Sequence, residues 1–150
     1  MANSIIEICE ALVDKIETEG VRAYPNECCG IMFGRDVPGD GDFAVRRVVE
    51  MLEPVMNEFE EEEQYHRFLI TPQTLMRAEK KASEEGLLVL GFYHSHPDAP
   101  ARPSEYDRQH AWPFYSYVIV AVAKGLPREM TSWQLNDQTE QFEPQAVVVS

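Results

Sequence analysis

Residues 87–97 read Leu-Leu-Val-Leu-Gly-Phe-Tyr-His-Ser-His-Pro, an apolar run that closes on two histidines and a proline. Its length, its content and its bounds at Gly86 and Pro97 mark a buried β-strand. Residues two apart on a strand share a face, so His94 and His96 project together at the strand's C-terminal end. A second run, residues 115–123 (Tyr-Ser-Tyr-Val-Ile-Val-Ala-Val-Ala), is nearly all β-branched or aromatic and predicts a central strand covered on both faces.

Upstream, Ile5, Ile6, Ile8, Leu12, Val13 and Ile16 recur at helical spacing behind Ser4 as N-cap, with Gly20 as the stop. They predict an amphipathic helix. Residues 29–34 and 43–51 predict strands, separated by the turn chemistry of residues 36–42. A loop with five glutamates among residues 58–63 follows, then a short strand over 67–70. Thr71-Pro72 opens a helix over 71–85, since proline suits the first helical position. Pro97, Pro100 and Pro103 stiffen the next loop, residues 104–112 predict a short helix stopped by Pro113, and 131–135 and 145–149 supply the last strands. The expected fold class is α/β in the α+β sense, a mixed β-sheet flanked by helices. At 150 residues the chain suits one domain spanning 1–150.

The net charge of −13, from 26 acidic and 13 basic side chains, argues against nucleic acid and anionic membrane as partners. With nine arginines to four lysines, the acidic surface fits either salt adaptation or plain solubility. Cys9, Cys28 and Cys29 are an odd count with two adjacent, which speaks against a disulfide framework and for a reducing, cytoplasmic compartment. The first apolar stretch, broken by Glu7, Glu10 and Asp14, is not a signal peptide, and the longest apolar run, 117–123, is far below a membrane span.

Eight residues after His96 stands Ser104, written Ser104-Glu-Tyr-Asp107. If Ser104 opens a helix, Asp107 lies one turn on and both face back towards the strand end. Two imidazoles and a carboxylate make a three-ligand set for Zn²⁺ with the fourth position left to water, the open coordination of a catalytic site. Taken singly, a His-x-His pair is an ordinary feature and Ser-x-x-Asp an ordinary capping box. Together, at these offsets, they arise by chance in roughly one chain in 10⁵ at average residue usage.

The pattern His94-x-His96-Pro-x6-Ser104-x-x-Asp107 resembles the signature of the JAMM metallopeptidases, the MPN-plus domains. Glu27, in Glu27-x-x-Gly30-x-x-x-Gly34 ahead of the first strand, is similar to the upstream glutamate of that family. The resemblance covers the whole chain. It implies that His94, His96 and Asp107 hold one Zn²⁺, that Glu27 is the general base, and that Ser104 donates to the developing oxyanion. It also implies a cytidine-deaminase-like JAMM/MPN architecture. Asn57 resembles a position where family members often carry Asn near the site, which makes it a candidate substrate contact. Cys28 and Cys29 read as core residues, His66 and His110 as surface or supporting groups, and the 58–63 run as a solvated loop.

Deamination is rejected, because zinc deaminases need His-x-Glu and Pro-Cys-x-x-Cys, which this chain lacks. A non-catalytic MPN scaffold is the alternative, and the intact residue set argues against it; a structural zinc module lacks its fourth ligand. Only 43 residues follow Asp107, with no room for the long substrate-gripping insertions of the large deubiquitinases. The chain resembles instead the short prokaryotic branch, whose members act on ubiquitin-like sulfur-carrier proteins. That implies a carrier with a Gly-Gly tail as substrate, cleaved at the amide after it, in a setting such as cysteine biosynthesis.

Overall fold

A computed structural model of the protein describes residues 3–55 and 70–150. In chain order these form β1 (Ser4–Ile8), α1 (Glu10–Ala23), β2 (Cys29–Pro38), β3 (Val45–Val55), α2 (Pro72–Glu85), β4 (Leu88–Pro97), α3 (Glu105–Gln109), β5 (Ser116–Ala123), β6 (Leu126–Leu135) and β7 (Phe142–Val149). The fold is α+β with a mixed sheet, as expected, but the sheet closes on itself: the order β1-β3-β2-β4-β5-β6-β7 is a closed barrel. Closure comes from β1, which pairs in parallel with both β3 and β7. A buried polar chain ties this seam together. Gln145 Nε2 donates to Ser4 Oγ at 2.6 Å, Ser4 Oγ to Gln134 Oε1 at 3.0 Å, and Ser132 Oγ to Gln145 Oε1 at 2.8 Å.

The first element is a correction. Ile5, Ile6 and Ile8 belong to a strand, and the helix starts only after Cys9, its N-cap, and runs through Gly20 to Ala23. Ser-Ile-Ile-Glu-Ile also alternates with period two, and its backbone finds ladder partners on both sides, which outweighs the helical reading. Gly20 is not a stop: a Cβ there would meet Val122 Cγ2 at 3.1 Å and Ser95 Cβ at 3.3 Å, so its small size lets α1 lie close on the sheet. Strand β2 extends to Pro38, into the expected turn, because Asp36, Val37 and Pro38 pair with β3. Helix α2 forms as read, with Thr71 Oγ1 accepting from Thr74 N and Gly86 closing it at φ +68°. Asn57, the 58–63 run, His66 and residues 67–69 lie outside the described residues.

The two faces of the sheet bury different clusters. Ile16 of α1 packs with Leu90, Tyr93, Val118 and Val120. Ala78 and Ala82 of α2 pack with Ile31, Phe33, Val89 and Phe92. Strand β4 runs between antiparallel β2 and parallel β5, paired along its length to Pro97. Strand β4 is therefore an interior strand of the sheet. Its alternation puts His94 and His96 on the Phe92 face and Ser95 on the Tyr93 face.

The glycines of Glu27-x-x-Gly30-x-x-x-Gly34 have steric reasons. A Cβ on Gly30 would lie 2.1 Å from Tyr93 Cζ, and one on Gly34 would lie 1.9 Å from the Val48 carbonyl oxygen. Tyr93, fully buried, lies across Gly30 and donates its hydroxyl to Glu19 Oε1 at 2.8 Å. Among the described residues no helix is long and apolar enough to cross a membrane.

Candidate metal centre

Four side chains meet at the C-terminal end of β4. His94 Nε2 and His96 Nε2 stand 3.1 Å apart, and Asp107 Oδ2 lies 3.5 Å from the first and 3.3 Å from the second. Glu27 joins the two histidines in a buried group whose ligand atoms all fall within 4.8 Å of one another. Glu27, His94 and His96 are 5%, 1% and 8% exposed, so this polar cluster has been taken out of water.

Each member is held by its own element. Glu27 sits just before β2, where Cys29 is paired with His94. Cys28 fixes the approach: its N–H donates to Ser95 Oγ at 2.8 Å, and Ser95 N–H donates to Cys28 O at 3.2 Å. Asp107 is delivered by α3, whose N-terminus is a capping box: Asp107 N–H donates to Ser104 Oγ at 3.0 Å and Ser104 N–H to Asp107 Oδ2 at 2.8 Å. The capping reading and the cluster thus use the same carboxylate oxygen. Helix α3 is shorter than the 104–112 expected and ends at Gln109. Ser104 is exposed at the rim. As acceptor of the Asp107 N–H, its hydroxyl keeps its own hydrogen to donate.

Protonation follows from these contacts. His96 Nδ1 lies 2.9 Å from the Pro100 carbonyl oxygen, which can only accept, so Nδ1 carries a hydrogen, while Nε2 faces Asp107 Oδ2 at 3.3 Å. Complete burial pushes His94 down, against the pull of Asp107. Burial alone would raise Asp107, but the imidazoles and the Ser104 N–H hold it far below the usual carboxylate range. Burial first, then the charge of Asp107, pushes Glu27 up to about 9. Glu27 Oε1 has no hydrogen-bond partner among the described residues.

The donor set fits zinc. Zinc–ligand distances of about 2.0–2.1 Å place the ligands of a tetrahedral ion about 3.3 Å apart, and the three atoms of His94, His96 and Asp107 hold separations of 3.1–3.5 Å. Two imidazoles and one carboxylate are the chemistry such an ion takes.

Residues 9–136 match the family described as prokaryotic homologs of the JAB domain. The chain belongs to this family. Within it, the chain is 39% identical over 87 residues to a probable TtuB-protein conjugate cleaving protease of Thermus thermophilus, covering 57% of each chain. It is 33% identical over 96 residues to a desampylase of Haloferax volcanii, covering 63% of this chain and 62% of the other. In both cases the chain spans less than two thirds of the curated relative's length. The fold is also that of a JAB1/MPN domain protein from Archaeoglobus fulgidus, with a TM-score of 0.57, 20% identity, and 97% and 96% of the two chains covered.

For this JAB-family chain, two supports of the site were not read from sequence. Ser95, the residue between the histidines, anchors the Glu27 segment from the opposite face of β4. The Pro100 carbonyl accepts from His96 Nδ1 and orients the ring. Strand alternation could have turned Ser95 inward, but a backbone carbonyl leaves no trace in residue type. Cys28 is partly buried, and burial above all pushes its thiol up to about 11, which disfavours the thiolate. His110 is exposed and stacks on Tyr106, with ring centroids 4.0 Å apart.

Proposed function

We propose that residues 1–150 form one catalytic domain, a JAMM-type zinc peptidase that hydrolyses the amide after the Gly-Gly tail of a ubiquitin-like, sulfur-carrier-type protein. The observation that carries this reading is the triangle of His94, His96 and Asp107, with edges of 3.1, 3.3 and 3.5 Å and His96 Nε2 turned into it. The names of the two curated relatives support the substrate class.

His94, His96 and Asp107 would hold Zn²⁺. When bound, the ion supplies Lewis acidity, acidifying water and polarising the scissile carbonyl. Glu27 takes the proton of the attacking water and returns it to the leaving amine. Its high proton affinity comes from burial and from the Asp107 charge, so offsetting that charge brings the carboxyl down towards the range a base needs. Ser104 donates its free O–H to the carbonyl oxygen as negative charge develops there. A buried cluster reached from the rim favours residues without side chains beside the scissile bond, which a Gly-Gly tail provides.

The test is to load the protein with zinc, weigh the products from a folded carrier adduct, and measure metal content by elemental analysis. One Zn²⁺ per chain is expected, mostly lost in His94→Ala, His96→Ala and Asp107→Ala. Glu27→Gln should keep the metal and lose at least ~10²-fold in turnover. Full zinc in all three ligand variants would refute the ligand set. Glycine-free peptides cleaved as fast as the carrier adduct would refute the substrate.

A further inference from the structure

The loop between β4 and α3 crosses β6, and one of its peptide groups is held from both ends. The Pro100 carbonyl accepts from His96 Nδ1 at 2.9 Å and from Arg102 N–H at 2.8 Å. The N–H of that same peptide, on Ala101, donates to Glu129 Oε1 at 3.2 Å. The peptide is trans, so its C=O and N–H lie in one plane and point opposite ways. Carboxylate, peptide and imidazole therefore form a continuous hydrogen-bonded chain ending at the candidate metal site. The next carbonyl is fixed too: Ala101 O accepts from Thr131 Oγ1 at 2.6 Å, and Trp133 Nε1 donates to Thr131 Oγ1 at 2.9 Å. Ala101 is fully buried against Ile119, Ala121 and Trp133. The plane of the Pro100–Ala101 peptide has little freedom to turn away from His96.

We propose that Glu129 is a positioning residue for His96, acting through the Pro100–Ala101 peptide. A carboxylate bonded directly to a ligand histidine fixes its tautomer and raises its basicity. Here a peptide is inserted between the two. The charge on Glu129 polarises the amide, strengthens the Pro100 carbonyl as an acceptor and so holds the hydrogen on His96 Nδ1. With Nδ1 so held, Nε2 is the ring atom that faces His94 and Asp107. Glu129 is exposed on β6, and it acts from the far side of the loop without touching the cluster. The consequence for zinc affinity rests on the function proposed above; the consequence for the tautomer does not.

The experiment compares the unsubstituted protein with Glu129→Ala and Glu129→Gln by two readouts. Ring ¹⁵N shifts of His96 in the metal-free protein report the tautomer, and competition with a chelator reports the zinc dissociation constant. Glu129→Ala should move His96 towards the Nε2–H tautomer and weaken zinc about tenfold, the low end of the range for outer partners of metal ligands. Glu129→Gln keeps an acceptor oxygen and should recover part of both. An alanine variant with unchanged ¹⁵N shifts and zinc affinity would overturn the proposal, even with a lowered melting temperature. If the unsubstituted protein takes up no zinc, the metal reading falls, and the tautomer comparison alone decides the role of Glu129.

Discussion

Replacing Gly30 by alanine tests the packing behind the candidate site. The new Cβ would stand 2.1 Å from Tyr93 Cζ, 2.2 Å from its hydroxyl oxygen and 2.4 Å from Cε1. Tyr93 is fully exposed to no solvent at all, so its ring can yield only by straining the core around Leu90, Val118 and Val120. Overpacking of this kind costs about 1–3 kcal/mol. Displacing the hydroxyl from Glu19 adds about 1.5–3 kcal/mol for a hydrogen bond to a charged group. Together these predict a loss of about 3–5 kcal/mol, which for a chain of this size lowers the melting temperature by roughly 6–20 °C. The assay is urea unfolding of Gly30→Ala in two backgrounds, with Tyr93 intact and with Tyr93→Leu. Leucine lacks all three clashing atoms, so in that background the alanine should cost under about 1 kcal/mol, a coupling of about 2 kcal/mol or more. Equal costs in both backgrounds would refute the claim that the motif glycine is there to admit the Tyr93 ring.

Ser104→Ala removes the acceptor for Asp107 N–H and should cost about 1 kcal/mol of stability; it should also slow turnover on the order of 10²-fold with zinc retained. Normal turnover in that variant would reduce Ser104 to a helix cap. In the metal-free protein, burial and the charge of Asp107 push Glu27 up to about 9 when folded, against the ordinary 4.5 of the unfolded chain. Between those values the native state holds the extra proton, so the Glu27 contribution is full below about 4.5 and is lost as pH rises. Stability relative to Glu27→Gln should therefore fall from pH 7 to 9 by up to about 1.4 kcal/mol per pH unit, and parallel curves for the two proteins would refute the raised value. With 26 acidic against 13 basic side chains, the melting temperature should climb with KCl from dilute buffer upward, and a flat curve would leave the charge as a matter of solubility.

What the sequence disclosed was whatever local chemistry decides. Helix α2 carries its own start and stop in Thr71, Pro72 and Gly86, and it formed where they placed it. The shared face of His94 and His96 followed from alternation along β4, and the closeness of Asp107 from one helical turn after Ser104. Glu27 is different. Only family resemblance singled it out, because its place beside His96 depends on β2–β4 pairing across more than 60 residues. The amino-terminal isoleucines fit either period, and the choice was made by strands far away in sequence. Barrel closure had no local signal for the same reason.

The seam that closes the barrel also bears on the order of assembly. Ser4 and Gln145 are 141 residues apart along the chain, and the β1–β7 ladder is parallel. Pairings of such long range repay their loop-closure entropy only when most of the intervening chain is already in place. The pairings that build the candidate site, β2 with β4 and β4 with β5, do not involve this seam. Contacts made after the rate-limiting barrier govern unfolding and leave the folding rate nearly alone. If the seam forms that late, the Ser4–Gln145 bond sets how long the folded molecule persists, while the speed of its formation is decided around β4.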